Sequence, residues 1–385
     1  MDNVTEKKQP LGVFILMASI TFMAILSEMV PSGILPQIME GLNINEQQAG
    51  NLVGYYAIAS AFCGIPIISY TVEWQRKRLL LILMAGFAIS NIAVGLIPNY
   101  WSVQFFRVVG GICAGVLWPM IAAYGMKLVP DEEKGRTVAI IMTGTTLGMS
   151  FGLPAATLIG THISWQAEFI VLGVVIAIIG WLCHRYLPEA PGDKRTTSNS
   201  PFTVLKNKGV LVIILLTFLA VVANYGVFTY ITNLVETTQY PSLSLAQLIF
   251  GIGSLISVWI TGRFIDKHLQ LVDLTLLGAS ALAYAVFLWI NGAVTALHLG
   301  FLLWGVGFGA LVTLYQTAVA RQVPANASAV ATSLQSACFN FSIMIATWLG
   351  GTLLVGGSIF NVLMMALTAL IVGIAVSLIA KKALA

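Results

Sequence analysis

Charge is what this sequence has least of. Asp, Glu, Lys and Arg make up 9% of its 385 residues, against about 25% in an ordinary soluble domain. Residues of the hydrophobic set reach 58%. A soluble core cannot hide that much apolar surface, so a water-soluble fold is excluded and the solvent must be lipid. Cysteine is scarce too. Cys63, Cys113, Cys183 and Cys338 each lie inside an apolar run, without paired or metal-ligand spacing. That argues against a disulfide framework or a metal site. No glycine loop closes on Lys-Ser/Thr to cradle a phosphate, and no catalytic constellation stands out. ATP-driven work, an enzymatic role and a bound cofactor are therefore not signalled. The net charge of +4 is no nucleic-acid signature either, because its placement has another explanation.

What is present is long continuous apolar runs. A spanning helix needs about 20 such residues, whereas a membrane barrel would show alternating segments of about 10. The runs predict an all-α polytopic membrane protein with twelve transmembrane helices. The expected spans are 11–33, 46–70, 78–97, 100–125, 137–160, 167–187, 208–233, 244–265, 270–291, 295–318, 326–354 and 359–380. The first of these is too long for a signal segment and lacks a clean cleavage pattern, so it is read as helix 1 of the mature chain. The longest polar stretch, residues 188–207, separates an N-terminal six-helix half (1–187) from a C-terminal one (208–385). Paired six-helix halves are a transporter architecture, with the substrate site near the midplane between them.

Charge placement gives an orientation. Lys and Arg concentrate in cytoplasmic loops. Apart from Arg107, every Lys and Arg falls on one side of a twelve-helix count. The opposite loops, such as "THISWQAEF" and "ETTQYPSLS", hold none. Both termini are expected to be cytoplasmic in a multi-pass protein of the bacterial cytoplasmic membrane.

Two charges inside the spans stand out. Arg107 lies about seven residues into helix 4, roughly 10 Å deep at 1.5 Å per residue. Glu28 in helix 1 sits at a similar height. Buried ionisable groups are costly and pair with one another, so Glu28 and Arg107 are the expected pair. The competing readings are a carboxylate at the water interface where helix 1 ends near Pro31, and an arginine snorkelling outward. Helical spacing puts Thr21, Ala24, Glu28 and Ser32 on one stripe and Arg107, Gly111, Ala114, Trp118 and Ala122 on another. Both read as cavity faces. A bend at Pro31 is expected to let helix 1 continue outward. Tyr56, Trp118, Asn224, Tyr225, Thr229, Tyr230, Trp304, Gln316 and Asn340 are candidate substrate contacts, although each alone could be serving helix–helix hydrogen bonding.

The stretches "SEMVPSGILPQI" (27–38), "QAGNLVGYYAIA" (48–59), "RVVGGICAGVLW" (107–118), "GTTLGMSFGLPAATLIGTHISWQAEF" (144–169) and "ACFNFSIMIATWLGG" (337–351) resemble the major facilitator superfamily. The nearer likeness is to its twelve-helix drug:proton antiporters, in the sugar-efflux and arabinose-induced branch. The resemblance implies the major facilitator fold, two pseudo-symmetric halves, and proton coupling through Glu28 and Arg107. It assigns an antiporter motif to Gly148, Gly152, Pro154 and Gly160, in which Leu153 interrupts the usual Gly-Pro pair. It assigns a cytoplasmic gate to Glu73, Arg76, Lys77 and Arg78, with Gly262 and Asp266 as the second-half copy. The first-half gate departs from pattern, since Glu73 is its one nearby acid. "SWQAEF" also replaces the usual Gly-Trp-Arg.

The expected function is proton-driven efflux of a small organic molecule, sugar-like or drug-like, by alternating access. Partners would be the substrate, protons and the lipid bilayer, without nucleic acid, for a monomer. An uncoupled facilitator and a membrane sensor or scaffold are the alternatives.

Overall fold

Apolar periodicity and length translate directly into helices. The computed structural model describes residues 11–130, 133–192, 204–290, 292–324 and 327–384. Twelve helical spans within them are long and apolar enough to cross a membrane. They are α1 (Leu11–Gly33), α2 (Glu46–Thr71), α3 (Arg76–Leu96), α4 (Tyr100–Met126), α5 (Lys134–Leu147, continuing as Gly148–Gly152 and Leu153–His162), α6 (Trp165–Tyr186), α7 (Lys208–Thr229), α8 (Leu243–Phe264), α9 (Leu269–Trp289), α10 (Val294–Phe308 and Leu311–Arg321), α11 (Ser328–Val355) and α12 (Ile359–Ile379). Among the described residues there is no strand. The side bearing the basic loops is called the basic side below, and the other the far side.

Most far-side helix starts are capped by a side chain, as is α7 on the basic side behind Asn207. On the far side α2, α4, α6, α8 and α12 begin behind Asn45, Asn99, Ser164, Ser242 and Ser358. Each of these side chains accepts a hydrogen bond from the first-turn backbone. Short oxygen-bearing side chains satisfy amide groups that the helix leaves orphaned.

The helices pack by one rule in both halves. In the first, α1 lies on α5, α2 and α3 on α4, and α3 on α6. In the second, α7 lies on α11, α8 and α9 on α10, and α9 on α12. A shift of six helices maps one set onto the other. Between halves, α2 packs along α11 and α5 against α8, and the same shift exchanges these two contacts. Within the first half, Gly144, Gly148 and Gly152 recur every four residues. A Cβ on any of them would collide with α1 at Ala18, Phe22, Ile25 or Leu26. Small residues let lipid-embedded helices gain dispersion energy by close approach.

Four spans are less regular than expected. Helix α1 runs straight through Pro31 and ends at Gly33; a short helix Leu35–Leu42 follows after Ile34. The break comes from Pro36, whose ring excludes the carbonyl four residues back, at Ser32. The interruption thus falls beyond Pro31, at Ile34. Helix α7 breaks at Tyr230 and resumes as Ile231–Thr237, the same place in the second half. Helix α10 breaks at Gly309–Ala310. In α5 the segment Gly148–Gly152 is a π turn that ends two residues before Pro154. A proline cannot donate to the α ladder, and widening one turn accommodates it.

The expected linker 188–207 is held at both ends. Tyr124 donates to the Pro188 carbonyl. Arg76 N–H donates to Ala190 O at 2.9 Å, and Lys127 Nζ to Pro191 O at 2.8 Å. At the other end Asn207 Nδ2 donates to Gln322 O at 2.6 Å. Residues 193–203 lie outside the described residues.

Candidate functional site

Glu28 and Arg107 do come together, but not as the expected ion pair. Gly111, one turn from Arg107, has no Cβ to hold α4 off the backbone of α2 at Tyr56. The guanidinium therefore crosses to helix backbones. Its Nε donates to Leu52 O at 3.0 Å and Nη2 to Glu28 O at 3.2 Å, while Nη1 donates to Ser27 O. Its plane carbon lies 4.3 Å from the Tyr56 ring centroid. Three carbonyls and an aromatic face satisfy a cation that is 2% exposed, as a membrane interior requires. The snorkelling reading is excluded by this burial. Asn91 of α3 donates to Ser27 Oγ at 2.9 Å and fixes the same turn.

The Glu28 carboxylate reaches the other half. Its Oε1 accepts a hydrogen bond from the Tyr225 hydroxyl of α7 at 3.1 Å. The residue is 7% exposed, so it is no interfacial carboxylate. Tyr225 is wedged between Phe308 and Phe339, with ring centroids 5.3 and 5.7 Å away. One turn of α1 is thus clamped from behind by Arg107 and tied in front to the other half.

The other candidate substrate contacts divide. Asn224 is fully buried, and its Oδ1 accepts from Ser280, Tyr284 and Trp304 at 3.1–3.2 Å. Its Nδ2 donates to Ala220 O. Asn224 and Trp304 are spent inside the second half, and packing replaces the expected substrate role. Tyr230 is also fully buried. Its hydroxyl donates to Thr347 O at 2.7 Å and reaches Glu46 O at 3.5 Å, in a slot left by Gly50, Gly350 and Gly351. It plugs the far side instead of facing a central cavity. Tyr56 lies under Arg107. Thr229 is buried with no protein partner for its hydroxyl. Trp118 and Asn340 are half-buried and Gln316 is exposed; Asn340 Nδ2 bonds Ser336 O. The two stripes read as cavity faces are mostly contact faces. Thr21 donates to Ile141 O at 2.6 Å, and Gly111 lies on the α2 backbone.

The motif residues act through packing. Gly148 and Gly152 seat α5 on α1, the π turn precedes Pro154, and Gly160 faces Glu168 and Ile34. The gate residues flank the basic-side loops. Arg76 is buried and bonds Val72 O at 3.0 Å, Arg78 lies 5.8 Å from the Trp74 ring, and Glu73 is exposed beside Gly192. Lys77 is half-buried. Asp266 pairs with Arg321 of α10 at 2.8 Å, and Gly262 has open space.

Sequence reasoning missed Ser27, Asn91, Leu52, Phe308, Phe339, Ser280 and Tyr284. Asn91 is a lone amide in an apolar helix, a readable signal. The contribution of the Leu52 backbone has no signal at all. Beyond this site, halves are also joined on α5 and α8, where Ser150 Oγ donates to Gly251 O at 2.9 Å.

Residues 17–347 match the model of the Major Facilitator Superfamily. A relative described as a probable sugar efflux transporter from Helicobacter acinonychis (strain Sheeba) is 26% identical over 331 residues, covering 82% of each chain. The fold is similar to a crystal structure of the nucleoside transporter NupG, with a TM-score of 0.74, 14% identity, and 97% of this chain and 99% of that one covered. It is similar also to a bacterial homologue of the human lysosomal transporter Spinster, in an inward-facing and unoccupied conformation. There the TM-score is 0.71 at 14% identity, with 98% of each chain covered. With twelve spans in two related halves and a family match across most of its length, this chain belongs to the Major Facilitator Superfamily and is a membrane transporter, not an enzyme.

Proposed function

We propose that the protein exports a small organic molecule in exchange for protons, by alternating access. The basic side is cytoplasmic and the far side external, as the charge asymmetry of the loops supports. The membrane is then a bacterial cytoplasmic membrane. A sugar is the favoured substrate class, since the Helicobacter relative is described as a probable sugar efflux transporter.

One observation carries the coupling: the buried Glu28 carboxylate is hydrogen-bonded across the two halves by Tyr225. Any motion that parts the halves on the far side must break this bond and bare the carboxylate. Burying an ionised carboxylate again costs far more than burying the acid. An emptied carrier therefore closes its far side after taking a proton from outside. The proton leaves once the site opens to the cytoplasm. On the outward trip the substrate replaces the proton as the partner of Glu28. Arg107 acts as a positioning residue, holding the Ser27–Glu28 backbone against Leu52.

The test is Glu28→Gln in proteoliposomes, with radiolabelled monosaccharides and disaccharides first ranked by thermal shift. Uphill movement under an imposed pH gradient is expected to vanish, while equilibrating exchange of the same sugar continues. Full gradient-driven movement by the variant would remove Glu28 from the coupling role.

A further inference from the structure

A second carboxylate lies in the membrane part, and the function above does not use it. Glu168 sits in the first turn of α6, about 4.5 Å from its far-side start at 1.5 Å per residue. It is 1% exposed, and neither carboxylate oxygen has a hydrogen-bond partner. Its surroundings are specific. A Cβ on Gly160 of α5 would touch Glu168 Oε2 and the Ile34 side chain. One turn back on that face, Thr157 meets Gly33, and Gln247 of α8 meets the same point of Gly33. Thr157 is 1% exposed and Gln247 fully buried, and their side-chain polar atoms also lack partners. Thus the α1 break at Gly33–Ile34 gathers an acid, a hydroxyl and an amide from α5, α6 and α8. Two come from the first half and one from the second.

Among the described residues no cation is placed beside the acid. Helix α5 presents Thr157 and Gly160; α1 presents Gly33 and Ile34; α8 presents Gln247. His162, in the last turn of α5, is exposed, with its ring nitrogen on Leu158 O. Glu40 is exposed at the end of the short helix after α1. A carboxylate sealed among such groups cannot stay ionised at tolerable cost. As an acid it gains a donor.

We propose that Glu168 is a second proton-binding site, built into the far-side seal. When the halves part there, Gln247 leaves with the second half and Glu168 meets the external solution. It then loses its proton to that solution. Closure takes one proton back, forming the carboxylic acid from the carboxylate. External acidity thereby favours the sealed state, in the same sense as protonation of Glu28. The inference rests on the antiport reading for its purpose, but its test is independent of transport.

The test fixes Glu28 as Gln, so that the coupling carboxyl cannot titrate. Spin labels are placed on cysteines replacing the exposed Ile163 and Thr237, on the far side of opposite halves, in full-length protein lacking its native cysteines. Distance distributions are read in nanodiscs between pH 5.5 and 8.5. The Glu28→Gln parent is expected to gain about tenfold in its long-distance to short-distance ratio as the pH rises. Where the sealed state holds one proton more than the open state, each step of one in pH changes that ratio by up to about tenfold. Adding Glu168→Gln should reduce the change to less than about twofold, with the short distance retained at every pH. Adding Glu168→Asp, which still titrates, should keep the response. A flat parent, or a Glu168→Gln profile matching the parent, overturns the proposal. A misfolded Glu168→Gln would elute aggregated, and the Glu168→Asp arm alone then decides: a flat profile there also overturns it. Full gradient-driven transport by Glu28→Gln would count against the coupling role of Glu28 alone and leave this result standing.

Discussion

Replacing Arg107 with lysine keeps the positive charge and removes the fork. The guanidinium serves three carbonyls in different directions, Leu52, Ser27 and Glu28, from three nitrogens. A lysine has one nitrogen, which can hold one carbonyl well, and its compact charge suits the Tyr56 face less. Two charged hydrogen bonds are lost at about 1.5–3 kcal/mol each, and the buried carbonyls they served cannot turn to water. A net destabilisation of about 3 kcal/mol or more follows. At roughly 2 °C per kcal/mol for a large chain, the unfolding midpoint of the purified protein should drop by about 5 °C or more. The measurement is thermal unfolding in detergent, followed by tryptophan fluorescence or by thiol exposure at the buried Cys113. A midpoint within about 1 °C of the parent would refute the clamp. Arg107 would then act by charge alone, and the ion-pair reading would regain its place.

Two further substitutions separate tie from scaffold. Tyr225→Phe removes the cross-half bond to Glu28 and leaves the ring packing. It should raise the far-side open population about 5- to 30-fold, for a bond worth about 1–2 kcal/mol, as read by the same spin-label distances. Asn224→Leu orphans the Ser280 and Trp304 donors together and leaves Tyr284 only the Ala223 carbonyl. At about 1–3 kcal/mol each this should abolish recovery of folded protein, whereas Asn224→Asp, which keeps the acceptor, should be recovered.

Spans and loop charges were legible because lipid imposes them: a helix must match bilayer thickness, and stray charge is costly. That Glu28 and Arg107 share a depth followed from counting residues. Where the guanidinium points did not, because its partners are backbone carbonyls, which every residue carries. Asn224 looked like a ligand since a buried amide in lipid must bond to something, and the sequence does not say whether that is substrate or protein. The break after Gly33 misled for a different reason: two prolines stand close together, and the effective one, Pro36, acts four residues upstream. Glu168 had a readable signal, an acid on a loop side without bases.

At its middle the contact between α5 and α8 is nearly bare of side chains. Ser150 and Gly251 meet almost backbone to backbone, so this joint has few rotamers to unlock when the halves shift. Sliding there is closer to the behaviour of a lubricated bearing than of a latch. Its grip comes from dispersion between smooth surfaces, which fades within about an ångström of separation. Lipid tails are as apolar as the helices and compete for the same surfaces. The rate at which this transporter turns over should therefore answer to the lateral pressure and thickness of its bilayer, with the joint itself as the sensor.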